Sequence, residues 1–123
     1  MLLCLNYSYG QFMLDFCATV DQNGYCVFNN NRFILSPDST TERICMEIRN
    51  PETFKGISKI AIKIYSIEKD GEEKYENVME QSVQDDWVYC WTPYVFKSVG
   101  KYHVKVYNGK EELICSKNLE LLK

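Results

Sequence analysis

Apolar residues along this chain recur at every second position far more often than at every third or fourth. That is the spacing of a strand with one buried face, not of a helix. In KIAIKIYSI, Ile60, Ile62 and Ile64 fall on one side while Lys59, Ala61, Lys63 and Tyr65 take the other. The pattern predicts a half-buried strand. ERICMEIR gathers Ile44, Met46 and Ile48 on one face and sends Arg43, Cys45, Glu47 and Arg49 outward. YHVKVY sets Tyr102, Val104 and Val106 against His103, Lys105 and Tyr107, and ELICSKNLELL ends the chain with further strand-like apolar positions. No window of ten residues has helical periodicity.

The connections agree. Asn23-Gly24, Asp70-Gly71 and Asn108-Gly109 suit the positive φ angles of tight hairpins, and each lies between apolar runs. Pro37 and Pro51 mark loops, because proline removes a ladder donor and restricts the residue before it. The expected strands are Phe12–Val20, Tyr25–Leu35, Thr40–Arg49, Ile57–Ile67, Lys74–Val83, Trp87–Phe96, Lys101–Tyr107 and Glu111–Leu122. Short strands between regular turn signals predict an all-β fold, a single antiparallel two-sheet β-sandwich of seven to eight strands. Its expected core holds Ile44, Met46, Ile60, Ile62, Ile64, Tyr102, Val104 and Val106.

Near its end the chain reads VGKYHVKVY, with Gly100, Tyr102, Val104 and Val106 in a Gly-x-Tyr-x-Val-x-Val pattern. This resembles the penultimate strand of immunoglobulin-like and fibronectin type III-like modules of exported bacterial proteins. The resemblance implies a tyrosine corner, in which the Tyr102 hydroxyl bonds to backbone a few residues upstream. It also implies that the inter-sheet disulfide of antibody-type domains is absent, since Val104 stands where those domains keep a cysteine. Such modules carry many functions, so the likeness bears on fold and not on activity.

Composition narrows the setting. The chain has 123 residues, 46% of them hydrophobic and 25% charged, which suits one globular domain over residues 11–123. Net charge is −3, and the 14 basic residues are dispersed, so no nucleic-acid footprint is visible. No apolar stretch approaches the roughly 20 residues of a membrane span. Residues 1–10 read as a signal-peptide remnant or an N-terminal arm: Leu2 to Leu5 are apolar, and Ser8 and Gly10 are small, as a signal peptidase requires before a cut at Gln11. Export is the expectation, with a cytoplasmic location as the alternative.

Cys4, Cys17, Cys26, Cys45, Cys90 and Cys115 are widely spaced, with no C-x-x-C pair, so zinc and thioredoxin-like readings lack their spacing. Most are expected to be small buried hydrophobes instead of members of a disulfide framework.

A search for chemistry yields little. His103 is the single histidine, and alternation from Tyr102 puts it on the solvent face with no nucleophile beside it. Asp85-Asp86 reads as a turn before Trp87, since adjacent strand residues point to opposite faces and cannot share a substrate. DQNG at 21–24 begins like a calcium loop but lacks the later glutamate, leaving a hairpin turn. The expectation is therefore a non-enzymatic protein with no catalytic residue, cofactor or metal.

DDWVYCWTPYVF, residues 85–96, concentrates aromatic residues. As a strand it places Trp87, Tyr89 and Trp91 on one face and Val88, Cys90 and Thr92 on the other. Burying the aromatic face removes more apolar area from water, at roughly 25 cal/mol per Å², so that face is assigned to the core. The opposite orientation exposes an aromatic stripe suited to stacking on glycans. Trp87, Trp91 and Tyr94 are the candidate ligand anchors, with Tyr94 and the rim at Pro93 expected to be the more accessible part. The function expected is a non-catalytic exported binding module that contacts a protein or glycan through exposed aromatics or a sheet edge. The alternative is a structural spacer or assembly subunit without a specific small ligand, with homo-oligomerisation open in either case.

Overall fold

A computed structural model describes residues 12–23, 25–36, 38 and 41–123. The N-terminal segment with Cys4, Ser8 and Gly10, on which the export reading rests, lies outside the described residues. In chain order the strands are β1 (Met13–Val20), β2 (Cys26–Asn29), β3 (Arg32–Ile34), β4 (Glu42–Arg49), β5 (Lys59–Ile67), β6 (Glu73–Ser82), β7 (Tyr89–Phe96), β8 (Gly100–Asn108) and β9 (Leu113–Leu122). They form a four-stranded sheet ordered β2-β1-β4-β7 and a five-stranded sheet ordered β3-β9-β8-β5-β6.

One core joins the two sheets. Ile44, Met46, Ile48 and Phe16 from the first meet Ile60, Ile62, Ile64, Val104, Val106, Leu119 and Leu121 from the second, all essentially inaccessible to solvent. Each of these side chains contributes about 1.5–3 kcal/mol through burial. All eight residues expected in the core from alternation are buried. The corner also forms: the Tyr102 hydroxyl donates to the Ser98 carbonyl at 2.7 Å and lies 2.9 Å from the Ser98 hydroxyl.

Two features depart from expectation. Nine strands form among the described residues where seven to eight were expected, and β3 pairs with β9 in parallel, so the sheets are not wholly antiparallel. The extra strand arises within 25–35, which was read as one strand. Phe28 has φ of 59°, and Asn30 turns its side-chain oxygen onto the Asn31 and Arg32 N–H groups. There the chain changes sheets. The Asn30 N–H bonds to the Phe16 carbonyl of β1, while the Asn31 carbonyl accepts from Glu120 of β9.

The three expected hairpins form, and each closes with residue i donating its N–H to the carbonyl of i+4: Asp21 to Tyr25, Glu68 to Glu72 and Asn108 to Glu112. The left-handed position is Gly71 in the second loop, as expected, but Glu111 and not Gly109 in the third. There the Asn108 carboxamide oxygen accepts from Lys110 and Glu112 and holds the loop in place of a glycine's freedom.

Candidate functional site

The twelve-residue aromatic segment is oriented opposite to the core assignment. In β7 the inward residues are Cys90, Thr92, Tyr94 and Phe96, and Cys90 is 4% exposed. Trp91 points outward at 40% exposure. The register explains this: Cys90 pairs with inward Ile48, and Trp91 pairs with outward Glu47. Phe96 decides the orientation from the far end of the strand, being fully buried and edge-on to both Tyr94 at 4.7 Å and Tyr102 at 4.8 Å. Tyr94, expected to be the more accessible of the three candidate anchors, is partly buried and packs against the core. Trp87 precedes the strand, half-buried against the core after the turn at Asp85 and Asp86.

Trp87 and Trp91 come together in a groove of about 520 Å³ along the edge of β7 that no strand pairs, lined also by Gln81, Asp86, Val88, Tyr89 and Cys90. The Thr92 hydroxyl donates to the Gln81 side-chain oxygen and ties β7 to β6 across this edge. Pro93 lies on the same strand, where a missing N–H is tolerated. The Cys90 thiol beside the groove is pushed up to about 12, by burial first and the Glu47 charge second. It stays protonated and packs as a small apolar group.

Across Val88 and Tyr89 lies a second cavity of about 450 Å³, lined by Met13, Asp15, Tyr25, Glu47, Arg49 and Tyr89 among others. Here alternation was right about direction and wrong about exposure. Glu47 and Cys45 do face outward from β4, yet Glu47 is only 5% exposed and Cys45 is also buried. The cover is the β1–β2 hairpin, cross-linked by a Cys17–Cys26 disulfide with Cα atoms 5.5 Å apart. With one disulfide and Cys45, Cys90 and Cys115 free, most cysteines among the described residues are unpaired, and Cys45 and Cys90 are buried. The Glu47 carboxylate and the two sulfurs lie within 4.8 Å of one another, but the sulfurs are committed to each other and offer no metal ligand.

Asp15 sits directly across from Glu47 in the β1–β4 ladder. It accepts from Arg49 at 2.6 Å and from Lys117 at 3.1 Å. Burial works to raise the Asp15 carboxyl, but these hydrogen bonds and charges together hold it below the usual carboxylate value. Glu47 goes the other way. Burial, aided by the Asp15 charge, outweighs the Arg49 guanidinium and raises it. Tyr25 stacks on Tyr89 with ring planes 25° apart, and the Tyr89 hydroxyl is anchored to the Asn23 carbonyl at 2.9 Å. Sequence reading missed this cluster, because a charged residue on a strand's outer face ordinarily signals solvent. The available signal was Cys17 and Cys26 flanking the Asn23-Gly24 turn, which allows a disulfide-tied hairpin over its neighbour.

On the other outer face, His103 lies 2.5 Å from Glu73, which also pairs with Lys105 at 2.9 Å. The histidine ring is hydrogen-bonded to the Glu73 carboxylate through Nδ1.

No family model and no curated protein matches the chain. Among solved structures it is similar to an immunoglobulin-like protein from Pseudomonas aeruginosa, with a TM-score of 0.56 and 10% identity over 89% of this chain and 91% of that one. The fold is immunoglobulin-like, as the corner motif implied. A β-glucosidase from Listeria innocua superposes with a TM-score of 0.44 and 11% identity, and this chain spans 16% of it. That overlap carries no argument, and an enzymatic role is not indicated. Among the described residues no helix is long and apolar enough to cross a membrane.

Proposed function

We propose that the protein is a non-catalytic recognition module, exported, that meets a protein or glycan through the face built around Trp87 and Trp91. The observation that carries this reading is Trp91: a large aromatic ring held out from the sheet at 40% exposure, beside a groove containing a second tryptophan. Trp offers wide contact area with little rotamer entropy to lose, and it dominates binding hot spots. Pairing of a partner strand with the β7 edge is the less favoured route, because Pro93 interrupts it and the Thr92–Gln81 bond bridges it. Support for export comes from the Cys17–Cys26 disulfide and the immunoglobulin-like fold, both compatible with an oxidising compartment.

The test is a glycan and protein binding panel run with Trp91→Ala. Binding is expected to fall at least about tenfold while thermal stability stays within about 0.5 kcal/mol of the parent, as for a surface substitution. Undiminished binding of every panel ligand by the variant contradicts the reading. The spacer alternative predicts no saturable binding from either protein.

A further inference from the structure

The second cavity is a built polar site, and its chemistry selects a ligand class. The Glu47 side chain is 6% exposed and lines the cavity, yet among the described residues it accepts no hydrogen bond. Its cationic neighbour is the Arg49 Nε at 3.3 Å, and that buried N–H itself makes no hydrogen bond. Buried polar groups in folded proteins are nearly always satisfied, so the unbonded Arg49 Nε–H, beside a Glu47 carboxylate with spare acceptor capacity on the cavity wall, marks a place for a ligand that both accepts and donates. Asp15 does not share this need, being bonded to both Arg49 and Lys117. The walls are aromatic on one side: Tyr25 is 63% exposed, and Tyr89 is fixed by its bond to Asn23.

We propose that this cavity binds one neutral sugar ring, with hydroxyls donating to Glu47 and accepting from Arg49 while the C–H face of the ring packs on Tyr25 and Tyr89. The proposal rests on the reading of the protein as a recognition module and gives it a second site, apart from the tryptophan groove, with a sugar as ligand. Charge balance supports neutrality: Asp15 and Glu47 face Arg49 and Lys117, so neither an anion nor a cation finds an uncompensated field. A polyol supplies both donors and acceptors to this mixed set, and its C–H face suits the tyrosine wall. A volume of about 450 Å³ is within the range of small-ligand pockets, roughly 300–1,000 Å³. The site binds and does not hydrolyse. The two carboxylates are side-by-side neighbours in one ladder, and Asp15 is occupied by two cations, whereas a glycosidase pair must flank the scissile bond.

The experiment titrates the full chain by calorimetry with glucose, galactose, mannose, N-acetylglucosamine and the β-1,4-linked disaccharides of glucose and N-acetylglucosamine. At least one is expected to bind saturably, and Tyr25→Ala and Glu47→Gln are each expected to weaken it about tenfold or more. Tyr25 is exposed, so its variant keeps the parent melting temperature, while Lys63→Ala, on the outer face of the five-stranded sheet, leaves sugar affinity within about twofold. The proposal is overturned if none of these sugars binds, or if affinity survives in both Tyr25→Ala and Glu47→Gln. Loss of sugar binding in Trp91→Ala alone also overturns it but leaves the recognition reading standing on the tryptophan groove. Conversely, sugar binding lost in Tyr25→Ala and Glu47→Gln, with no ligand sensitive to Trp91→Ala, upholds the cavity and removes the tryptophan face.

Discussion

On the outer face of the five-stranded sheet, Glu73 meets His103 and Lys105, while Lys63 and Lys105 each sit 4.7 Å from the centroid of a tyrosine ring, Tyr107 and Tyr65 respectively. The Glu73 carboxyl is lowered by hydrogen bonds from Lys105 first and His103 second, with desolvation a lesser opposing effect. On the outer face of the four-stranded sheet acids and a base again meet, Asp15, Glu47 and Arg49, here beside a disulfide-tied hairpin, and desolvation is the largest influence on both acids. The difference teaches that alternation predicts which way a side chain points but not whether water is there. Beside the cross-linked hairpin the acids Asp15 and Glu47 are nearly enclosed, while Glu73 on the other outer face stays a third exposed.

Removing the cross-link should break this contrast with the largest effect. Cys17→Ser with Cys26→Ser releases a short loop of sequence separation 9 and is expected to cost about 2.5 kcal/mol in denaturant unfolding. Hydrogen exchange in the same variant should accelerate in β1 and β2 but not in β5 and β8. Equal acceleration in both sheets would mean that the hairpin is not a separable cover.

Charge removal gives the next largest separation. Asp15→Asn gives up charge-assisted bonds to Arg49 and Lys117 in a half-dry setting and should lose about 1.5–3 kcal/mol. Glu73→Gln, at a carboxylate that is itself 33% exposed, should lose no more than about 1 kcal/mol. Equal costs would erase the distinction between the two faces.

The pH dependence sharpens it further. Asp15 titrates below its ordinary 3.8 in the fold, so its stabilising contribution is complete above 3.8 and is lost as pH falls through the folded value. Glu47 titrates above its ordinary 4.5, so the fold favours its protonated form. Its contribution is full below 4.5 and is lost as pH rises through the folded value. Glu47→Gln should therefore be more stable than the parent at pH 7, with the gain vanishing below pH 4.5. A gain that persists at low pH would point to packing and not to the desolvated charge.

The period-two runs made the central strands legible because Ile60, Ile62, Ile64, Val104 and Val106 have a buried face and a charged face with nothing else competing. The corner was legible because Tyr102 follows Gly100 in a short local motif. Residues 85–96 were not, because both faces of β7 carry large side chains, and the decision between them depends on long-range partners: Ile48 beside Cys90, and Tyr102 against Phe96. The area argument favoured two tryptophans inside and overlooked that Tyr94 and Phe96 fill the same core from the opposite parity. The polar cavity depends on chain crossings that no local pattern encodes, since Asp15 and Lys117 are 102 residues apart.

In the proposed reading, recognition belongs to the outer face of the four-stranded sheet, around residues 86–91 and the adjoining cavity. Amide chemical-shift mapping with the tightest ligand from the binding panel tests it most directly. Shifts concentrated at Tyr25, Glu47, Arg49 and Val88 to Trp91 are the predicted result. Shifts concentrated at Lys63, Lys105 and Tyr107, on the five-stranded sheet, would contradict it.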